Sequence, residues 1–515
     1  MRKVLVLLVV LALMIPLVAA TPMLAEPNDV EQELDIVFID PDEGLELDPD
    51  AVGNPYMPEP DADLTEVVGA ADEFRLISPA FANIAGFYIW AEVLEYGQAV
   101  TAVIIDAGEL VTQALAESMI IDVHALTERP NTNPSAIIYN GPREITNVYV
   151  SNARTRGQRA ASGNYIVVEL KYGFNNTFAQ VNGSAAHAYS TTTAAAIAWP
   201  LDLNYTVTID GSNVDYIRTM QPIVDDFELV PNPVDGFTTQ SYRLFTPPGS
   251  AGRRMPLVLF NHGFGETFQS SAATGRNTEG QQLVAQEAAT SWITEAPDAA
   301  YVLLPQRGTA AGNPGYSRAG VAAFINNMIE EGKVDPNRVY ISGLSMGGAE
   351  SLLFMREFPD LFVAALIICP FGTANYTLEQ LEPHKHIPTW FVHTADDPVA
   401  TLPNSTNLYD RLHELGAQDV RLTNYPAVTI AGRTWSVFGN ELPNAYFQNS
   451  DGDFSEFYPN SHWSWVMPFN NLYVADGGIA GSTGQGTTFM GWLFSHGRPA
   501  APPAIANDVY KQEAE

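Results

Sequence analysis

One stretch constrains the fold more than any other: Val339-Tyr340-Ile341 runs into Gly343-Leu344-Ser345-Met346-Gly347, and Ala349 to Arg356 follows. The first run is β-branched and aromatic and predicts a strand, while the last suits a helix. Between them stands Gly-x-Ser-x-Gly, so the order is strand, sharp turn and helix, the pattern of a nucleophile elbow. A serine on so tight a turn leaves no room for side chains two residues to either side, and glycine removes the collision. The turn lifts the Ser345 hydroxyl above the sheet edge. It also points the Met346 N–H, at the helix start, to where a carbonyl oxygen would become negative. Patterns this short also arise by chance in glycine-rich turns, and it is the flanking strand and helix that argue for the elbow.

The rest of the chain divides around that stretch. From Asp225 onward apolar strands alternate with helices: a hairpin at 227–230 and 241–245, strands at 257–260, 301–304, 339–341, 362–369, 390–393 and 420–422, and helices near 280–292, 320–331, 406–415 and 488–495. Such alternation predicts an α/β fold with a mostly parallel sheet covered on both faces, over residues 223–497. Residues 76–222 instead carry short β-prone runs between turn signals, at 86–90, 99–105, 119–123, 148–150, 165–170 and 205–209, which predict an antiparallel β-sandwich. Two folded units also suit a chain of 515 residues.

The ends read differently. Arg2-Lys3, an apolar run to Ala20 and the small residues Val18-Ala19-Ala20 have the three-part layout of a secretory signal over 1–20. A retained membrane anchor is the alternative. Residues 21–75 are rich in acidic residues and proline and have no Lys or Arg before Arg75, the signature of a disordered acidic linker. The Pro/Ala-rich tail 498–515 is expected to be disordered as well. A formal charge of −34 excludes the positive footprint that nucleic-acid binding needs, and suits a soluble exported protein. Cys369 is the only cysteine, so no intrachain disulfide forms, and its apolar run reads as a buried small hydrophobe.

Ser345 needs a base and an acid to orient it, and the α/β-hydrolase arrangement takes them from later in the chain in the order Ser, Asp, His. Asp397 lies in the turn after the strand at 390–393, with Asp396 competing for the role and read as its turn-forming neighbour. His462 lies in a loop before the final helix. Asn261-His262-Gly263-Phe264-Gly265-Glu266 follows the strand at 257–260, and its glycines let the Phe264 N–H join that of Met346 as an oxyanion hole. His262 and Glu266 read as braces of that loop. Trp463 and Trp465 either line a substrate surface or pack beneath the histidine loop. His124 and His187 are isolated, His384 and His386 read as surface residues, and His496 as a cation at a helix end. No set of side chains has zinc spacing, and Asp451 to Glu456 reads as a turn more than a calcium loop. No metal or organic cofactor is expected.

These residues resemble secreted α/β-hydrolase esterases with an N-terminal immunoglobulin-like domain, related to the polyhydroxybutyrate depolymerase and feruloyl esterase branch. The resemblance rests on His262 to Glu266, on Asp335-Pro336-Asn337-Arg338-Val339-Tyr340 running into Gly343 to Gly348, on His393-Thr394-Ala395-Asp396-Asp397-Pro398-Val399, on His462-Trp463-Ser464-Trp465 and, in the first domain, on Ala91 to Val100. It covers about Gly86 to Arg498. It implies a secreted serine carboxylesterase with the triad Ser345, Asp397 and His462, oxyanion donors Phe264 and Met346, and a small or polymeric ester substrate. A homo-oligomer is compatible with it, and stable membrane insertion after signal removal is not expected. Thr394 stands where many relatives have glycine, and the lone cysteine departs from disulfide-bonded depolymerases and feruloyl esterases, so their substrates do not carry over. A polyester depolymerase or feruloyl esterase, a peptidase of the prolyl oligopeptidase type, and a binding protein with an inactive hydrolase shell are the other readings; the repeated propeller blades of the peptidases are not seen.

Overall fold

Strands buried on both faces need mostly apolar side chains, and the C-terminal half of the chain supplies them. Met255–Asn261, Tyr301–Pro305, Ala364–Ile368 and Thr389–Thr394 are buried from end to end. The computed structural model describes residues 83–94, 97–129, 136–172, 189–191, 198–230, 242–267, 270–271, 276–277, 287–307, 317–395, 397–425, 434–435, 441–442, 462–469, 473–474 and 487–497. The expected leader, acidic linker and tail lie outside them, as do Asp396, His187 and residues 451–456. Among the described residues no helix is long and apolar enough to cross a membrane.

The main sheet has eight strands in the order Phe227–Val230, Tyr242–Phe245, Tyr301–Pro305, Met255–Asn261, Val334–Leu344, Ala364–Ile368, Thr389–Thr394 and Val420–Tyr425. The opening hairpin is antiparallel and pairs antiparallel with Tyr301–Pro305; from there every pairing is parallel. Successive residues serve opposite faces. Val258, Phe260, Tyr340, Leu366 and Val392 join one core with the helices Glu287–Thr294 and Phe489–Ser495. Leu257, Leu259, Ile341, Ile367 and Phe391 join the other with Arg318–Glu330, Met346–Glu357 and Pro403–Glu414. Each such side chain contributes about 1.5–3 kcal/mol by leaving water. The fold is the α/β-hydrolase one.

The N-terminal half forms a β-sandwich of a five-stranded and a four-stranded sheet. Val100, Val103, Ile166 and Val168 from the first sheet meet Val123, Tyr205 and Val207 from the second. Two details depart from the expected antiparallel sandwich. Tyr216–Met220 pairs parallel with Gly86–Leu94 at the sheet edge. A short helix, Gln113–Ser118, capped by the Thr112 side chain, follows directly on the strand Gly97–Thr112. Val93 packs in the same core as Phe227 and Ile293, so sandwich and hydrolase belong to one compact unit beginning at Ile77.

Candidate active site

The elbow is built by close approach. A Cβ on Gly343 would lie 2.3 Å from the Gly347 carbonyl oxygen, and one on Gly347 would lie 2.0 Å from that of Asn261. Ser345 itself sits at φ 54°, ψ −119°, a conformation that costs an L-residue about 1–3 kcal/mol. The neighbouring strand end holds it there: the Ser345 N–H donates to Ile368 O at 3.0 Å and the Phe371 N–H donates to Ser345 O at 3.0 Å. The Ser345 side chain stands at the C-terminal end of Val334–Leu344, where loops from other strands converge.

Two of those loops bring partners. His462 Nε2 is 3.0 Å from Ser345 Oγ, and His462 Nδ1 is 2.8 Å from Asp397 Oδ2 and 3.1 Å from Oδ1. The three predicted triad side chains therefore meet in one hydrogen-bonded line across 117 residues of sequence. Asp397 Oδ1 also accepts from the N–H groups of Val399 and Ala400, each at 2.8 Å. Burial alone would raise the pKa of this carboxyl. The bonds from His393 and His462 outweigh burial and hold it well below the usual carboxylate range, so it stays ionised.

The predicted oxyanion donors flank the serine. Met346 opens the helix Met346–Glu357, and Phe264 opens a short 3-10 turn, Phe264–Glu266. Among the described residues neither backbone N–H is given to another backbone carbonyl. A Cβ on Gly263 would meet the Leu344 side chain at 2.7 Å, so the Phe264 loop lies directly against the elbow.

That loop is clamped from behind. The Arg307 N–H donates to His262 Nε2 at 2.9 Å, which leaves His262 Nδ1–H to donate to Gly263 O at 2.6 Å. The imidazole is thus neutral, and burial, helped by Arg307 and opposed by the Gly263 bond, lowers its pKa to about 4. Gln306 Nε2 donates to Glu266 O at 2.6 Å. Burial raises the Glu266 carboxyl to about 7 against the pull of two backbone N–H groups. Arg307 then reaches Glu350 on the elbow helix at 3.0 Å, and Arg318 binds the same carboxylate at 2.9 Å.

Trp463 and Trp465 are both partly buried, with ring centroids 6.0 Å apart; Trp465 packs edge-on to His462 at 5.5 Å and against the core. Trp465 thus packs between the histidine and the core, and the Trp463 ring lies tilted against it. Cys369 is fully buried, and burial pushes its thiol up to about 12, so it is no nucleophile. Cys369, Asp397 and His462 are the one close Cys/Asp/His group among the described residues, and its imidazole is already spanned between Asp397 and Ser345.

Two expectations about histidines fail. His384, expected at the surface, is 1% exposed, because the 3-10 turn Glu382–His384 tucks it inward; burial, with Arg356 and His386 nearby, lowers its pKa to about 4. His496 does follow a helix end, yet burial lowers its pKa despite Asp419, so a cation is disfavoured there. The sequence reading also missed His393, Gln306, Arg307 and Glu350 as parts of the site's support. His393 left one signal: a polar residue at the end of an apolar strand, four residues before Asp397.

Comparison with known proteins follows the same division. Residues 88–215 match the esterase Ig-like N-terminal domain, and residues 240–382 match the esterase PHB depolymerase family. The chain thus carries, in this order, a segment similar to the esterase Ig-like N-terminal domain and one similar to the esterase PHB depolymerase domain. Among curated proteins none matches it by sequence. The crystal structure of a thermostable esterase is similar over 75% of this chain and 96% of its own, at 24% identity and a TM-score of 0.53, and shows the same fold. A ferulic acid esterase from the anaerobic fungus Anaeromyces mucronatus aligns over 39% of this chain and 83% of its own, at 15% identity and a TM-score of 0.28. A thermophilic esterase from Thermogutta terrifontis aligns over 40% of this chain and 82% of its own, at 12% identity and a TM-score of 0.29.

Proposed function

We propose that this esterase-family protein is a secreted serine carboxylesterase that works through an acyl-enzyme. The observation that carries the reading is the line Ser345 Oγ, His462, Asp397, with contacts of 3.0 and 2.8 Å. His462 Nε2 takes the Ser345 proton as Oγ bonds to the ester carbonyl carbon. The carbonyl electron pair moves onto oxygen, where the N–H groups of Phe264 and Met346 meet it. Asp397 keeps its charge and supports the imidazolium without taking the proton. Collapse of the intermediate breaks the C–O bond to the alcohol, which leaves with the proton from His462. Water then repeats the sequence on the acyl-serine, and the carboxylic acid departs. Export rests on the leader-like residues 1–20.

A chromogenic short-chain ester should give burst release, and Ser345→Ala should lower kcat by on the order of 10^5-fold or more. A matched amide turned over as fast as the ester would make the protein a peptidase instead. A Ser345→Ala variant with wild-type activity would end the serine mechanism. Soluble esters of graded acyl length beside an insoluble polyester then decide between small and polymeric substrates, and Trp463→Ala should raise KM most for aromatic esters.

A further inference from the structure

Asp397 is shared between two imidazoles. Besides His462, the carboxylate faces His393, whose Nε2 lies 3.5 Å from Oδ2 and bonds the Ala400 carbonyl; both His393 and Asp397 have fully buried side chains. On its other side His393 Nδ1 is 2.7 Å from Ser405 Oγ, on the helix Pro403–Glu414, and Ser405 is fully buried. A carbonyl oxygen and a carboxylate oxygen only accept, so His393 Nε2 carries a hydrogen. Nδ1 of the neutral ring then has a lone pair, and the Ser405 hydroxyl donates to it.

We propose that His393 and Ser405 are a positioning pair for the reaction: the Ser405 hydroxyl anchors the His393 ring in the orientation that aims its Nε2–H between the Ala400 carbonyl and Asp397, and that N–H fixes the Asp397 carboxylate and tempers its pull on His462. The proposal rests on the serine-esterase reading above. Its chemical sense follows from counting donors. Oδ1 takes two backbone N–H groups and Oδ2 faces both histidines, so the carboxylate cannot turn away from His462. Each donor spreads its negative charge. A less basic Asp397 leaves the His462 imidazolium more willing to hand its proton to the leaving alcohol. The groups facing the carboxylate are His393, His462 and Cys369. The thiol, kept protonated by burial, adds no charge. Facing His393 are Ser405, the Ala400 carbonyl and Asp397.

Removing the serine hydroxyl leaves the buried Nδ1 lone pair without its donor; the ring keeps its hydrogen on Nε2, which faces two acceptors, but loses the anchor that aims that N–H, and it swings off Asp397 Oδ2. Asp397 then loses a donor and becomes more basic, so the His462 imidazolium is stabilised. Ser405→Ala should therefore raise the acid-limb pKa of kcat/KM by about 0.5–1 unit and lower kcat about 3–10-fold. KM should stay within about twofold, because neither residue meets the substrate. Ser405→Thr, which keeps the hydroxyl, should restore the acid limb. His393→Leu should move it in the same direction and further. Fluorophosphonate titration counts active sites in each preparation, so a partly folded variant is still read per working site. An acid limb and kcat equal to wild type in Ser405→Ala, or a Ser405→Thr variant no better than alanine, would overturn the proposal. Failure of the underlying serine reading would appear separately, as an active Ser345→Ala.

Discussion

Gly347→Ala isolates how closely the two segments that carry the proposed oxyanion donors approach each other. The new Cβ would sit 2.0 Å from the Asn261 carbonyl oxygen and 2.5 Å from that of His262, and Cβ atoms essentially never come within 3.0 Å of such atoms. The elbow helix and the end of Met255–Asn261 must then part by about 1 Å, since packed backbone cannot absorb the overlap elsewhere. Those two segments carry the N–H groups of Met346 and Phe264, so the donors separate by a similar amount. A misplacement of that size costs about 10²-fold in rate. Alanine is the better helix former by about 1 kcal/mol, but overpacking of this kind costs about 1–3 kcal/mol, so strain wins. Gly348→Ala is the control: its Cβ would meet Ile368 O at 2.9 Å and Pro370 at 3.0–3.2 Å, relieved by shifts of tenths of an ångström. Its kcat/KM should stay within about threefold of wild type. The assay is hydrolysis of a soluble chromogenic ester, normalised to fluorophosphonate-titrated sites. A Gly347→Ala enzyme as active as Gly348→Ala would refute the reasoning.

Two further predictions concern stability. His262 and His384 are buried with pKa values lowered to about 4, so the folded chain binds fewer protons than the unfolded one between about pH 4 and 6.5, and stability falls as pH drops through that window. The limit is about 3 kcal/mol for each histidine, and Glu266, raised to about 7, works in the opposite sense. Neither ring nitrogen of His384 has a hydrogen-bond partner among the described residues, so His384→Leu should match wild type at pH 7 and lose less stability by pH 4.5 in urea titrations; an equal loss would refute the assignment. Glu350 is 4% exposed and holds both Arg307 and Arg318, so Glu350→Ala should cost about 2 kcal/mol in the same titrations, against under about 1 for Glu357→Ala at the more exposed end of the network.

What could be read from the sequence follows from what each feature demands of neighbouring residues. A parallel strand covered on both faces is apolar along most of its length, so Leu257 to Phe260 and Leu366 to Ile368 announce themselves. The elbow needs glycine at 343 and 347, a local requirement, and the order Ser345, Asp397, His462 names the side chains that the structure brings together. The helix Gln113–Ser118 is six residues long, too short for a periodic pattern to mark it. Contacts between segments leave no local mark either. Arg307 and Glu350 are 43 residues apart, and nothing near either one requires the other. The Glu-Pro-His-Lys-His loop reads as polar surface, yet one turn of 3-10 helix directs His384 inward and Lys385 outward.

The same contrast explains why the support of the site is harder to read than its chemistry. Nucleophile, base and acid are each bound to a particular strand end by topology, so chain order is enough to find them. Orientation is set by whatever side chains happen to reach the back of each group. Asp397 faces a histidine four residues earlier, on the strand that leads into its turn, and that ring in turn meets a serine from the following helix. His262 is held by the backbone of Arg307, an interaction to which the identity of residue 307 contributes nothing, and which no sequence pattern can reveal. The strained serine is held by Ile368 and Phe371 in the same way, through main-chain atoms alone. Substitutions at 307, 368 or 371 that preserve the backbone should therefore leave these bonds intact, whereas His393 and Ser405 act through their side chains and cannot be exchanged so freely.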